Sequence, residues 1–144
     1  MSARIERLAR TIASVLTFSV CATATATAST HRDAMPANGL VMFEQAGCPY
    51  CALWNREVGA AYASTPEGKA LPLRRVDLHA PRPTDLRAIE GVRFTPTFVV
   101  LHCGIEYRRI TGYSGNEAFW GLLDEADRSL RAEPAAPCPN VTAP

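Results

Sequence analysis

The chain has 144 residues, room for one domain of ordinary size. Hydrophobic residues at 47% and charged ones at 20% give a globular balance, which excludes an intrinsically disordered chain. Fifteen basic side chains face fourteen acidic ones with no long block of either sign, which argues against a nucleic-acid surface or a polybasic membrane patch. Five cysteines are too few for a disulfide-stapled miniprotein, so each needs its own account.

Residues 1–28 have the layout of a secretory signal peptide. Arg4, Arg7 and Arg10 precede the apolar run Thr11 to Val20, and CATATATAS then offers A-x-A cleavage patterns between Ala24 and Ala28. The run is well short of the ~20 residues that span a bilayer. A lipoprotein site at Cys21 is disfavoured by the large Val20 before it. The expectation is export to a bacterial periplasm, which the Ala- and Arg-rich style suits, with this segment removed. The mature chain then carries twelve basic and thirteen acidic side chains, a net charge of −1. It keeps four cysteines, Cys48, Cys51, Cys103 and Cys138, an even number for an oxidising compartment.

A domain over residues 29–131 and a tail over 132–144 follow. Residues 29–38 are polar and loop-like. Leu40 to Glu44 is a short apolar run that suits a buried strand. Gly47-Cys48-Pro49 breaks it, and the pattern predicts a helix from Pro49 to Tyr62, with Trp54, Val58, Ala61 and Tyr62 at helical spacing. Proline fits the first helical position, where its missing N–H is not needed. Ser64 to Gly68 ends that helix. Leu71 to Leu78 reads as a second strand, and Thr84 is placed to cap a short helix holding Leu86 and Ile89, closed by Gly91. Thr97 to Leu101 and Ile105 to Thr111 read as two strands joined by a tight turn at Cys103-Gly104. Ser114 and Glu117 form an S-x-x-E capping box for a last helix whose apolar face is Phe119, Leu122, Leu123, Ala126 and Leu130. The four prolines of the tail and its lack of apolar period deny it an element. The order β-α-β-α-β-β-α predicts an α/β fold, a central mixed β-sheet flanked by helices on both faces.

Cys48-Pro49-Tyr50-Cys51 is the strongest chemical feature. At the start of a helix the first sulfur meets unpaired backbone N–H groups and the positive end of the dipole, so Cys48 should titrate below a free cysteine. Cys51, one turn on, is placed to attack a mixed disulfide at Cys48. No second C-x-x-C or Cys/His pair completes a zinc site, and Ala52 instead of His follows Cys51, which argues against covalent haem. A structural bridge is the bland alternative.

With these residues in view the chain resembles the thioredoxin superfamily. Gly91-Val92-Arg93-Phe94-Thr95-Pro96-Thr97 is similar to the thioredoxin segment around its cis-proline, and Pro96 falls 48 residues after Cys48. FVVLHCGIEYRRITGYSG looks like the family's terminal hairpin, with Gly112 matching a family glycine. The resemblance runs from Leu40 to Arg131 and implies a thioredoxin fold. It implies Cys48 as nucleophile and Cys51 as resolving thiol. Pro49, Tyr50, Thr95 and Pro96 would then contact substrate, with the Thr95 backbone as an edge for an extended segment. Among exported relatives the layout resembles small periplasmic thioredoxins, including the SoxS type associated with sulfur oxidation.

Departures accompany the likeness. Thioredoxins carry a buried aspartate six residues before the first cysteine; here that place is Met42. Glu44 lies nearby, with a solvated strand-end carboxylate as its plainer reading. The Pro49-Tyr50 pair is the one found in glutaredoxins, but no Gly-Gly glutathione-binding segment follows the hairpin.

For Cys103 and Cys138 a geometric argument applies. The strand from Ile105 runs from the turn for roughly 23 Å at ~3.3 Å per residue. The last helix returns about 26 Å at ~1.5 Å per residue. Its end therefore lies near the turn, and the expectation is a structural Cys103–Cys138 disulfide, with two free thiols or a second redox-active pair as alternatives. Trp54 and Trp120 read as core or rim aromatics. His31, His79 and His102 are scattered, so no metal site is expected from them, and Arg74-Arg75 and Arg108-Arg109 read as one solvated charge each.

The reading is an exported thiol–disulfide oxidoreductase without a cofactor. It would be a monomer, acting on protein cysteines as a reductase fed by a membrane thiol electron-transfer protein, with no nucleic-acid partner. The rival is a thioredoxin-fold regulatory module that senses redox state, carries sulfur or holds copper(I) with little turnover.

Overall fold

The strand Asn38–Glu44 (β1) and the strand Thr97–His102 (β3) are built on the apolar runs Leu40 to Phe43 and Phe98 to Leu101, and they lie side by side at the centre of the sheet. The computed structural model describes residues 38–132 and Cys138; the expected signal peptide, His31 and the rest of the tail lie outside the described residues. The sheet has four strands in the order β2-β1-β3-β4, where β2 is Leu73–Asp77 and β4 is Ile105–Thr111. β1 pairs parallel with β2 and antiparallel with β3, and β3 pairs antiparallel with β4, so the sheet is mixed. A parallel pair needs a crossover, and the chain supplies helices between β1 and β2.

Side chains alternate across the two central strands with the period of two that a pleated strand imposes. Leu40, Met42, Phe98 and Val100 enter the larger core cluster with Trp54, Tyr62, Phe119 and Leu123. Val41, Phe43, Val99 and Leu101 enter a smaller one with Val76, Leu86 and Ile89 on the opposite face. Burial on both sides is why these strands read as unbroken apolar runs.

The helix expected over Pro49 to Tyr62 is built in three pieces: α1 (Pro49–Trp54), a π-helical turn (Asn55–Gly59) and α2 (Ala60–Tyr62). Gly59 lies under the Trp54 ring, where an added Cβ would come within 3.0 Å of Cζ3. Ala61, placed on the apolar face by its spacing, is exposed. The Ser64 to Gly68 stretch does not simply end the helix. Thr65 caps a further helix, α3 (Pro66–Ala70), by accepting the Gly68 N–H at 3.0 Å. Pro66 at its first position needs no such partner.

The second face carries less helix than the sequence suggested. Only the 3-10 turn Thr84–Leu86 forms, and Thr84 does not cap it; Pro83 holds the capping position. Leu86 and Ile89 still bury, so the apolar pattern was right about burial and wrong about helix. The hairpin turn at Cys103-Gly104 has both residues at positive φ, 52° and 75°, the mirror-image turn that matches strand twist. The last helix, α4, spans Asn116–Ala132. Gly115, at φ 111°, redirects the chain and its carbonyl accepts the Phe119 N–H, so the helix starts two residues after Ser114 and the expected capping box does not form. Phe119, Leu123, Ala126 and Leu130 bury as expected, whereas Leu122 remains 43% exposed.

Candidate active site

The turn after β1 contains Gly47 at φ 73°, a left-handed conformation that costs glycine nothing and lets the chain reverse into α1. Cys48 is the residue just before that helix. Its backbone is extended, and its Sγ accepts the Cys51 N–H at 3.1 Å, the position of a helix-capping side chain. Cys48 and Cys51 are joined as a disulfide with Cα atoms 5.3 Å apart. Both are buried, and both belong to the larger core cluster. Tyr50 between them is 58% exposed.

Pro96 reaches the same end of the sheet by strand register. Phe43, one residue from the end of β1, pairs with Thr97, the first residue of β3. The Gly47-Cys48 turn and the Thr95–Pro96 bond thus emerge together. That peptide bond is cis, and Pro96 is buried while Phe94 is 66% exposed. Two hydrogen bonds hold the segment: Thr97 Oγ1 donates to the Phe94 carbonyl, and the Gly112 N–H donates to the Pro96 carbonyl, both at 2.8 Å. The next residue, Tyr113, donates its hydroxyl to Glu57 Oε2 at 2.6 Å. Glu57 lies in the π-turn that continues α1, so this contact ties the proline segment to the helix of the cysteines. Burial, with the nearby carboxylate second, pushes the Tyr113 hydroxyl up to about 12.

A cleft of about 340 Å³ runs beside the cysteines, lined by Glu44, Gln45, Gly47, Cys48, Pro49, Cys51, Ala52 and Asn55. Arg75 grips both oxygens of Glu44 through Nε and Nη2, and Nη2 also donates to Asn55 Oδ1 at 2.8 Å. Its guanidinium carbon lies 5.7 Å from the centre of the Trp54 ring. Glu44 is thus the partly exposed strand-end carboxylate its position suggested, and it is also half of an ion pair and so not free. Nor are the neighbouring arginines free: Arg74 pairs with Asp85, Arg108 with Glu125 and Arg109 with Glu106.

A thioredoxin-like domain model matches residues 33–127. The chain belongs to the thioredoxin-like family. It is similar to the reduced form of the periplasmic thioredoxin SoxS from Paracoccus pantotrophus, at 41% identity and a TM-score of 0.60 over 63% of this chain and 96% of that one. A thioredoxin from Malassezia sympodialis, Mala s 13, matches at 18% identity and a TM-score of 0.48 over 63% of this chain and 76% of that one. No curated protein matches the sequence.

Against the thioredoxin pattern, Met42 is fully buried in the cluster that holds Cys48 and Cys51, so the floor under the disulfide is apolar. Trp54 is fully buried, with the rings of Phe98 and Phe119 at 5.3 and 5.7 Å, and Trp120 stacks on Tyr62 at 5.9 Å. Cys103 is bonded to Cys138 with Cα atoms 5.2 Å apart, at the far end of β3 from Pro96. His102 is not isolated there: its Nε2 lies 3.5 Å from Cys103 Sγ, and its Nδ1 lies 2.8 Å from Asn38 Oδ1. Sequence reasoning missed the Tyr113–Glu57, Arg75–Glu44 and His102–Cys103 contacts. Only the last had a local signal, the adjacency of the two residues.

Proposed function

We propose that the protein is an exported, periplasmic thiol–disulfide oxidoreductase that exchanges disulfides with protein cysteines, working as a reductase. The observation that carries this reading is the placing of Cys48 Sγ at the start of α1, where it accepts the Cys51 N–H at 3.1 Å. A thiolate in that position is favoured by the same donor and by the helix dipole. In the reduced protein Cys48 attacks a substrate disulfide, forming a mixed disulfide and releasing one substrate sulfur as a thiol. Cys51 then attacks Cys48 Sγ, the bond to the substrate breaks, and its second sulfur leaves as a thiol. Two electrons have passed from the Cys48–Cys51 pair to the substrate.

Pro49, Tyr50, Thr95 and Pro96 form the contact surface in this reading. The exposed Tyr50 and Phe94 rings, one between the two cysteines in the chain and one two residues before Pro96, give a substrate segment apolar footing. Because the periplasm is oxidising, the spent disulfide needs re-reduction, and a membrane thiol protein is the class of donor that fits. The likeness to a periplasmic SoxS supports the compartment, as does the signal-like layout of residues 1–28.

The test is Cys51→Ser expressed with its own leader. Partners linked through Cys48 should accumulate and be released by reductant. The reduction potential of the wild-type pair gives the direction: a value near about −270 mV marks a reductase and one near about −120 mV a disulfide donor. Failure to trap any partner, with no reversible two-electron step, would sink the reading in favour of a binding module.

A further inference from the structure

At the far end of the sheet, His102, Cys103 and Cys138 bring an imidazole nitrogen and two sulfurs within 4.8 Å of one another, all three residues partly exposed. The imidazole is oriented by β-sheet register. Asn38 and His102 are direct partners across β1 and β3, and Asn38 Oδ1 lies 2.8 Å from Nδ1. A carbonyl oxygen there accepts a hydrogen bond from Nδ1–H, which leaves Nε2 as the basic nitrogen of the neutral ring. That nitrogen faces Cys103 Sγ at 3.5 Å. The two sulfurs of the disulfide are therefore unequal: one has a base and potential cation beside it.

We propose that Cys103–Cys138 is a second thiol-exchange site with a fixed polarity, in which an external dithiol attacks Cys138 and Cys103 leaves beside His102. The balance is complete. The incoming thiol gives its proton to water, and its sulfur, in line with the Cys103–Cys138 bond, forms a bond to Cys138 Sγ, while His102 holds a proton from solvent on Nε2. The Cys103–Cys138 bond breaks, and Cys103 departs as a thiolate next to the imidazolium. The second thiol of the reagent then attacks the reagent's own first sulfur and frees Cys138. The reagent ends as a disulfide and the protein gains two electrons. A charge-assisted contact to the departing sulfur lowers the barrier, because a better-stabilised leaving thiolate leaves faster.

The site works apart from Cys48 and Cys51. Pro96 and Cys103 bracket the six residues of β3, so roughly 20 Å of strand at ~3.3 Å per residue separates the two disulfides. Direct exchange between them within one molecule is excluded. The natural reagent is thus a dithiol in solution or on another protein, of the same chemical class as dithiothreitol.

The experiment follows reduction of Cys103–Cys138 in the full chain by dithiothreitol, with acid quench, differential alkylation and peptide mass spectrometry. His102→Gln keeps a side-chain N–H but cannot carry the positive charge beside the leaving sulfur, and it should slow reduction on the order of tenfold. A merely structural His102 predicts the opposite sign, since loosening the hairpin exposes the bond and speeds reduction. In wild-type protein, a limiting pulse of glutathione should leave its adduct on Cys138 with Cys103 free. This second measurement stands even if the variant does not fold. An unchanged or faster rate in His102→Gln, or an adduct on Cys103, would overturn the proposal.

Discussion

Replacing Gly68 with alanine sets two opposed effects against each other, and the structure decides between them. In a helix interior alanine is favoured over glycine by roughly 1 kcal/mol, so propensity alone predicts stabilisation. At Gly68 an added Cβ would lie 1.9 Å from the Tyr62 carbonyl oxygen and 2.7 Å from its carbon. Both are backbone atoms and cannot rotate away. Relief requires α3 to move off α2 by more than an ångström. That movement breaks the capping bond from the Gly68 N–H to Thr65 Oγ1 and the bond from that hydroxyl to the Tyr62 carbonyl, 3.0 and 2.8 Å. Overpacking of this kind costs about 1–3 kcal/mol and loss of a cap about 1 kcal/mol, and the propensity gain of about 1 kcal/mol offsets only the second of these. Gly68→Ala should therefore lose about 1–3 kcal/mol net. Gly121, exposed on α4 with nothing within 4 Å of the same added atom, is the control. Gly121→Ala should gain about 0.5–1 kcal/mol. Urea unfolding of both variants beside wild type, with the slopes compared, reads the difference. If Gly68→Ala came within 0.5 kcal/mol of wild type, the close approach of α3 to Tyr62 would be wrong.

Two further expectations concern the frame of the site. Tyr113 holds its proton more tightly folded than unfolded, because burial and Glu57 push its hydroxyl from 10 up to about 12. The stabilisation is thus whole below about pH 10 and is lost as pH rises through 12, so Tyr113→Phe should flatten that part of the stability profile relative to wild type. A profile unchanged by the substitution would remove the Tyr113–Glu57 bond from the account. Trp54, fully buried among Phe98, Phe119 and Tyr62, should cost about 3–5 kcal/mol on replacement by alanine, and a loss under 2 kcal/mol in calorimetry would place the ring nearer the surface.

Much of the architecture was legible because it is local. β1 and β3 announce themselves as apolar runs, and the Cys103-Gly104 turn sits between strands whose ends fall within one residue of where the pattern put them. The C-x-x-C before a helix was legible too, since proline at the first position and the break at Gly47 are short-range signals. Termini were harder. Thr65-Pro66 is a start signal that the Ser64 to Gly68 cluster of turn formers concealed, and Gly115 defeated a capping box whose spacing was correct. What the sequence could not carry was pairing across the fold. Glu44 meets Arg75 because β1 and β2 are parallel with Met42 opposite Arg75, a register no composition reveals. Tyr113 meets Glu57, 56 residues away, only once β4 has delivered it to the proline segment. Such contacts follow from topology, so they become readable after the fold and not before.

The two disulfides differ in what the chain gains from each. Cys48 and Cys51 are three residues apart, and closing so short a loop removes only about 2 kcal/mol of unfolded-chain entropy. Cys103 and Cys138 are 35 apart, and the same relation gives roughly 4 kcal/mol. By linkage, whatever a bond adds to the fold the fold returns to the bond. The extra 2 kcal/mol corresponds to roughly 40 mV toward the oxidised form at the second site, for equal sulfur chemistry. Loop entropy therefore holds Cys103–Cys138 closed at equilibrium, while His102 acts on the rate at which it opens. The first pair has little entropy to overcome and sits where a helix start stabilises its thiolate. One domain thus keeps a bond suited to repeated turnover at one end of β3 and a more firmly held, kinetically assisted bond at the other.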